Sequence, residues 1–149
     1  SYTIDVYRGQ LAPRRSLLDY TVFVSFFPHL VAGPVQRGHN LLVQAENPRT
    51  FSFDRLRTGM GLALWGAFKK VCIADTLAPY VDKVFVLDEP QGPLVYVSVI
   101  AFATQLYADF SGYTDIARGT SKMLGITLVQ NFDEPFLAIN VVDFWRRWL

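Results

Sequence analysis

The sequence contains a single cysteine, Cys72, and only two histidines, His29 and His39, in its 149 residues. Disulfide frameworks need paired cysteines and structural zinc sites need clustered cysteines and histidines, so the sequence predicts no disulfide and no metal site. Charged residues make up only 18% of the chain, whereas about 25% is usual in soluble domains. The net charge is +1 and no basic stripe accumulates, which argues against a nucleic-acid partner.

Apolar side chains dominate instead: 51% of residues are hydrophobic, 15% are aromatic and the mean hydropathy is +0.22. Residues 94–106 carry no charge, but a helix of that length spans roughly 20 Å, less than the roughly 30 Å of a bilayer core. The helix must therefore continue past Asp109, tilt, or end inside the protein. We predict an all-α fold, a polytopic membrane helical bundle with broken or re-entrant helices and interfacial loops.

The first third of the chain has a mixed pattern. Residues 1–9 alternate loosely between apolar and polar, which predicts a short extended segment. The apolar run 17–33 is interrupted at Pro28, which favours a broken or re-entrant helix there. Residues 36–54 are polar and are predicted to form a loop at the membrane surface.

A helix is predicted from about Asp54 to Asp75, followed by a connector over residues 77–93. One side of this helix carries a stripe of small residues, which let helices approach closely inside a membrane bundle: Gly59, Ala63, Gly66 and Ala67. Near its end, Lys69 and Lys70 are expected to extend to lipid headgroups.

The segment Tyr107–Asp115 follows the apolar run directly and contains two carboxylates, a serine and two tyrosines. Ionisable groups at membrane depth usually face a bundle interior or a water-filled cavity. Four of its residues are therefore candidates for lining a substrate tunnel: Asp109, Ser111, Tyr113 and Asp115. Their structural interpretation is that Asp109 caps or bends the chain, Ser111 lies in a turn or at a helix N-terminus, and Asp115 pairs with Arg118 or Lys122.

Two catalytic mechanisms are disfavoured for this segment. Asp109 and Asp115 are six residues apart and would point about 120° away from each other in a continuous helix, so they do not form an acid/base pair. Ser111 lacks the first glycine of the G-x-S-x-G elbow and has no placed partner histidine, so a nucleophilic serine is not expected.

The last residues combine aromatic and basic side chains, with Arg146 and Arg147 between Trp145 and Trp148. This composition is typical of a membrane-interface anchor. Arginine also binds phosphate in a bidentate way, so Arg146 is a further tunnel candidate that could contact a phosphate-bearing acyl donor.

Four segments, taken in order, resemble the membrane-bound O-acyltransferase (MBOAT) family, and most closely its branch containing alginate O-acetyltransferase. They are Ser1–Gly9, Phe26–Pro34, Tyr107–Asp115 and Asp143–Trp148. The resemblance implies a multi-pass protein of the bacterial inner membrane that transfers acetyl groups to hydroxyls of an extracytoplasmic polysaccharide such as alginate. It implies no bound cofactor, an acyl donor that is acetyl-CoA or a relayed acetyl group, and contacts with membrane lipid, the polysaccharide acceptor and extracytoplasmic acetylation proteins.

One position departs from the family pattern. The family tryptophan that matches Trp148 is followed by a histidine, and a second histidine lies further downstream; here Leu149 follows and the sequence ends. His29 and His39 do not match those positions, so no catalytic residue is assigned. We expect residues 1–149 to be part of a single membrane domain truncated at both ends, and to be inactive alone.

Two other classes stay open on the residues alone. A transporter or channel segment would also combine broken apolar helices with buried carboxylates. A soluble helical interaction module would instead partition into water without detergent.

Overall fold

The computed structural model describes residues 2–9, 12–13, 16–30, 38–87 and 92–148, and this part of the chain is helical without strands. The shorter helices come first: α1 (Tyr2–Tyr7), α2 (Leu17–Ser25), α3 (Phe27–Leu30) and α4 (Gly38–Glu46). Then follow α5 (Phe53–Phe68), a π-helical segment (Lys69–Ala74), α6 (Asp75–Phe85), the long α7 (Gly92–Met123), a 3₁₀ turn (Pro135–Leu137) and α8 (Val141–Trp148). The all-α prediction is confirmed for these residues.

Several local predictions were wrong. Residues 2–7 are helical rather than extended, and α4 occupies much of the segment predicted as a loop over 36–54. The helix that begins at Phe53 continues through the π-helical segment to Phe85, so much of the predicted connector 77–93 is helical. These errors share a cause, because short polar or alternating segments carry weak periodicity and tertiary packing decides their conformation.

The break predicted at Pro28 is present, since α2 ends at Ser25 and α3 begins at Phe27. Proline is tolerated in the first turn of a helix, where the missing N–H would lack a helical partner anyway. Residues 31–34, which complete the predicted re-entrant segment, lie outside the described residues.

Glycines form the contact between α5 and α7. A β-carbon placed on Gly66 would lie 2.5 Å from the Gly112 carbonyl oxygen, and one placed on Gly119 would lie 2.6 Å from the Gly59 carbonyl oxygen and 2.8 Å from the Ala63 β-carbon. The two backbones therefore touch, as the small-residue stripe predicted for Gly59, Ala63 and Gly66.

Helix α7 runs without interruption through Asp109, Ser111 and Gly112. The predicted bend at Asp109 and the predicted turn or cap at Ser111 were therefore wrong, while the option that the helix continues past Asp109 was right. Among the described residues, α7 is the one helix long and apolar enough to cross a membrane by length and composition. Much of its first half is exposed, with Ile100 69% accessible.

A second packing unit lies beyond the end of α7. Gly125 takes a positive φ of 81°, and the amide of Ile126 donates to the Ser121 carbonyl at 2.9 Å, which is the glycine-terminated arrangement common at helix ends. The chain then returns toward α2 and α4 and buries five apolar side chains together: Phe23, Leu41, Leu42, Ile126 and Leu128. This turn also directs residues 130–134 back along the second half of α7.

Candidate active site

A largely buried ion network joins the start of the π-helical segment to α7. Lys69 Nζ lies 2.7 Å from Asp115 Oδ2 and 3.0 Å from Ser111 Oγ, and Arg118 Nη1 lies 3.3 Å from Asp115 Oδ1. The Lys69 and Asp115 side chains are only 13% and 14% exposed. We call these four residues the Asp115 network. Two cations therefore contact the one Asp115 carboxylate, and both of its oxygens are engaged.

The neighbouring Lys70 serves a different cluster. Its Nζ lies 2.7 Å from Asp75 Oδ1 and 2.7 Å from Asp109 Oδ1, and 5.6 Å from the centre of the Tyr113 ring. Adjacent residues of a regular α-helix diverge by about 100°, and the two lysines reach carboxylates on different sides of α7. Lys69 and Lys70 also begin the π-helical segment, a type of segment frequent at functional sites. The prediction that both lysines extend to lipid headgroups was wrong, because carboxylates of the protein hold them.

A polar cavity of about 270 Å³ opens beside the Asp115 network. Its lining comes from α5 with the start of the π-helical segment, from α7, and from the returning segment 130–134. The lining residues are Leu62, Trp65, Lys69, Tyr107, Ser111, Thr114, Asp115, Arg118, Gln130, Phe132 and Glu134. Arg118 Nη2 donates to Gln130 Oε1 at 3.4 Å, and Gln130 Nε2 donates to the Phe132 carbonyl at 2.7 Å, so the network extends to the returning segment.

An aromatic cluster closes the side of the cavity toward α8. The Tyr107 ring centre lies 5.7 Å from that of Phe132 and 6.1 Å from that of Trp148, and Phe132 and Trp148 are 5.2 Å apart. These separations are typical of favourable edge-to-face or tilted aromatic pairs. The cluster fixes α8 against the two residues, Tyr107 and Phe132, that line the cavity.

Asp143 holds α8 in this position. Its backbone N–H donates to Asn140 Oδ1 at 2.8 Å, an N-terminal cap, and its carboxylate accepts from Arg147 Nε at 3.0 Å and Arg146 Nη2 at 2.8 Å. The hydrogen bond from Arg147 is the main reason that the pKa of Asp143 lies below its ordinary value, with further contributions from the Ile139 amide and Arg146 and with burial acting in the opposite direction. Arg147 in turn donates to the Asp133 carbonyl, and its own carbonyl accepts from the Asp133 amide at 2.8 Å.

We expect acid to weaken the docking of α8. A group whose pKa is lower in the folded state stabilises that state above its unfolded pKa, here about 3.8, and the contribution is lost as the pH falls through the lower folded value. Asp143→Asn should therefore destabilise the protein near neutral pH, and the difference from wild type should vanish in strong acid. Tryptophan fluorescence during thermal unfolding between pH 7 and pH 2 measures this, because Trp145 and Trp148 lie on α8.

Asp133→Asn is the control for that measurement, since Asp133 contacts Arg147 through its backbone alone. A constant difference between wild type and Asp143→Asn across the whole pH range would show that the Asp143 charge does not hold α8.

The structure separates the five predicted tunnel residues. Ser111 and Asp115 line the cavity, whereas Asp109 and Tyr113 lie with Lys70 on another side of α7. Arg146 is 80% exposed and pairs with Asp143 away from the cavity. The predicted pair between Asp115 and Arg118 is present, whereas Lys122 is not part of it. Leu149, where the family histidine was expected, lies outside the described residues.

Ser111 and Asp115 are the cavity residues that the sequence analysis named as tunnel candidates, and Lys69, Tyr107, Gln130 and Glu134 are among those that it did not. A signal for one of them was present, because Tyr107, Ser111 and Asp115 are spaced by four residues and share one face of a continuous helix. Within the described part of the chain, no three histidine, cysteine or acidic side chains gather as metal ligands would.

Sequence comparison finds relatives that match nearly the whole chain. The chain is 44% identical over 148 residues to the protein named "Probable alginate O-acetylase AlgI" of Azotobacter vinelandii, a match that covers 99% of the chain and 30% of the relative. The chain belongs to the membrane-bound O-acyltransferase family. Other MBOAT relatives are the peptidoglycan O-acetyltransferase of Helicobacter pylori, 38% identical over 136 residues (88% of the chain, 25% of the relative), and the teichoic acid D-alanyltransferase of Bacillus subtilis, 31% identical over 149 residues (94% and 36%).

No family model matches the sequence. The chain spans about 30% of the length of the first curated MBOAT relatives it matches. The matched stretch nevertheless runs through the whole cavity, from Leu62 on α5 to Glu134.

Proposed function

We propose that the protein carrying this chain is a membrane O-acyltransferase that transfers acetyl groups to hydroxyls of an extracytoplasmic polysaccharide such as alginate. The observation that carries the proposal is the 44% identity to a probable alginate O-acetylase across nearly the entire chain. The relatives named for peptidoglycan and teichoic acid are less similar, at 38% and 31%. Alginate is therefore the first acceptor to test.

The cavity supplies part of what an acyl transfer needs. Acyl transfer to a hydroxyl needs a base and hydrogen-bond donors near the developing charge. Lys69 and Arg118 supply donors, while Asp115 is neutralised by both. In our proposal the base is the family histidine, contributed from outside these 149 residues, and the donor is acetyl-CoA or a relayed acetyl group.

We further propose a multi-pass location in the bacterial inner membrane, with membrane lipid and extracytoplasmic acetylation proteins as partners. The support is the apolar surface of the α5–α7 pair, on which large side chains such as Trp65, Val97 and Ile100 are more than half exposed. Contiguous apolar surface of this kind favours contact with lipid or with further helices.

The test is complementation. The complete gene product should restore O-acetyl groups to alginate, measured by proton NMR of the purified polymer, in an alginate-producing strain that lacks its own O-acetylase. Residues 1–149 alone should not restore them. Parallel assays of peptidoglycan O-acetylation and teichoic acid D-alanylation decide between acceptors. Absence of ester on all three polymers, from a protein that is expressed and inserted in the membrane, would refute the proposal.

A further inference from the structure

One of the two carboxylates that line the cavity, Glu134, is exposed and makes no direct contact with the cavity cations. Asp115 pairs with both Lys69 and Arg118, whereas no ion pair or hydrogen bond joins the Glu134 side chain to any other residue in the described part of the chain. Glu134 is therefore the cavity carboxylate whose oxygens are free to accept hydrogen bonds from a ligand. An ionised carboxylate accepts through both oxygens, so this acceptor is a strong one.

The backbone holds Glu134 at the cavity in an unusual conformation. Its φ of 47° and ψ of 60° lie in the left-handed region, which costs free energy for a residue with a side chain. Its neighbours are fixed: both backbone polar groups of Asp133 bond to Arg147, Pro135 is buried, and the Glu134 carbonyl accepts from the Leu137 amide at 3.0 Å. The fold thus maintains a strained residue whose side chain it does not use for stability.

The surroundings of Glu134 indicate the ligand. Three aromatic residues, Trp65, Tyr107 and Phe132, share the cavity with it, and the volume of about 270 Å³ is large enough for one sugar ring but not for a long polymer segment. Aromatic faces beside polar side chains suit a ligand that is apolar on one side and hydroxylated on the other, as a sugar ring is. A carboxylate beside aromatic faces suits a hydroxyl donor such as a sugar ring.

We infer that Glu134 binds a hydroxyl group of the acceptor sugar inside this cavity, an inference that rests on the proposed function. The carboxylate accepts the hydroxyl hydrogen bond, and the aromatic residues contact the ring. No covalent step is assigned to Glu134. It is a binding residue that fixes which hydroxyl faces the acyl group.

The experiment compares Glu134→Gln with Asp133→Asn in the complete protein, using an alginate oligosaccharide of defined length as acceptor. Loss of a hydrogen bond to a charged group should lower kcat/KM for the acceptor by about 10- to 100-fold in Glu134→Gln, mainly through KM, with the KM for the acyl donor unchanged. Asp133→Asn, which changes an adjacent acid that does not line the cavity, should behave as wild type.

Equilibrium binding of the same oligosaccharide without donor gives a second readout and should weaken by the same factor. If Glu134→Gln is produced in low amount, Glu134→Asn takes its place, because asparagine tolerates the left-handed conformation. The inference is overturned if the charge-neutral variant binds and acetylates the acceptor as wild type does, or if the donor KM changes instead. Failure of the wild-type protein to acetylate any polymer would count against the proposed function rather than against this assignment.

Discussion

Gly66→Val should prevent the α5–α7 pair from forming in its native geometry. Even a single β-carbon at this position would lie 2.5 Å from the Gly112 carbonyl oxygen and 2.8 Å from the Ile116 amide nitrogen. Both atoms belong to the backbone of α7 and cannot rotate away, so the two helices must separate. We expect a loss of about 3 kcal/mol or more in the free energy of unfolding, and loss of activity because the cavity lies between these helices. Thermal unfolding in detergent micelles and the yield of monodisperse protein measure the effect.

Gly61→Val is the matched control for the glycine contact. It makes the same change on the same helix, but nothing lies within 4 Å of a β-carbon built there. Both variants carry the same cost of a β-branched residue in a helix, so their difference isolates the helix–helix contact. Equal stability of the two variants would mean that the close approach at Gly66 and Gly112 does not exist.

Asp115→Asn should produce the second large effect. The asparagine keeps the shape of the side chain but leaves Lys69, 13% exposed, and Arg118 as uncompensated cations. Breaking a buried pair by removing one partner typically costs about 3–5 kcal/mol. We expect a loss of stability in this range, together with loss of acyl transfer, since the Asp115 network positions the donors on one wall of the cavity.

Asp109→Asn provides the comparison for the network. Asp109 also pairs with a lysine at 2.7 Å, but its side chain is 41% exposed and Lys70 keeps Asp75 as a second partner. Exposed pairs contribute about 0–1 kcal/mol, so this variant should remain near wild type in thermal stability and transfer. An Asp109→Asn variant that is as unstable as Asp115→Asn would contradict the distinction between the two clusters.

The sequence predicted the close-packed face of α5, though not its partner helix, because the signal for such a face is local. The spacing of Gly59, Ala63 and Gly66 specifies a close-packed face, and that face is where the helices touch. The pairing of Asp115 with Arg118 also follows from helical spacing.

The cavity was harder to predict because the segment 107–115 was interpreted as a broken element. In a continuous helix, Tyr107, Ser111 and Asp115 share one face and Asp109 and Tyr113 another, which is how the structure divides them. The residues that line the cavity from outside α7 depend on tertiary contacts for their positions. Lys69 comes from a different helix, and Glu134 reaches the cavity only because Gly125 turns the chain back along α7.

The central claim is that the space between α5, α7 and residues 130–134 binds the acceptor. Thiol labelling in membranes tests it most directly, with Gln130→Cys, which lines the cavity, compared with Val129→Cys, which is adjacent, exposed and outside it, both in a Cys72→Ala background. The account predicts that an alginate oligosaccharide slows alkylation at position 130 and leaves the rate at position 129 unchanged. Labelling at position 130 that is unaffected by saturating acceptor would contradict it.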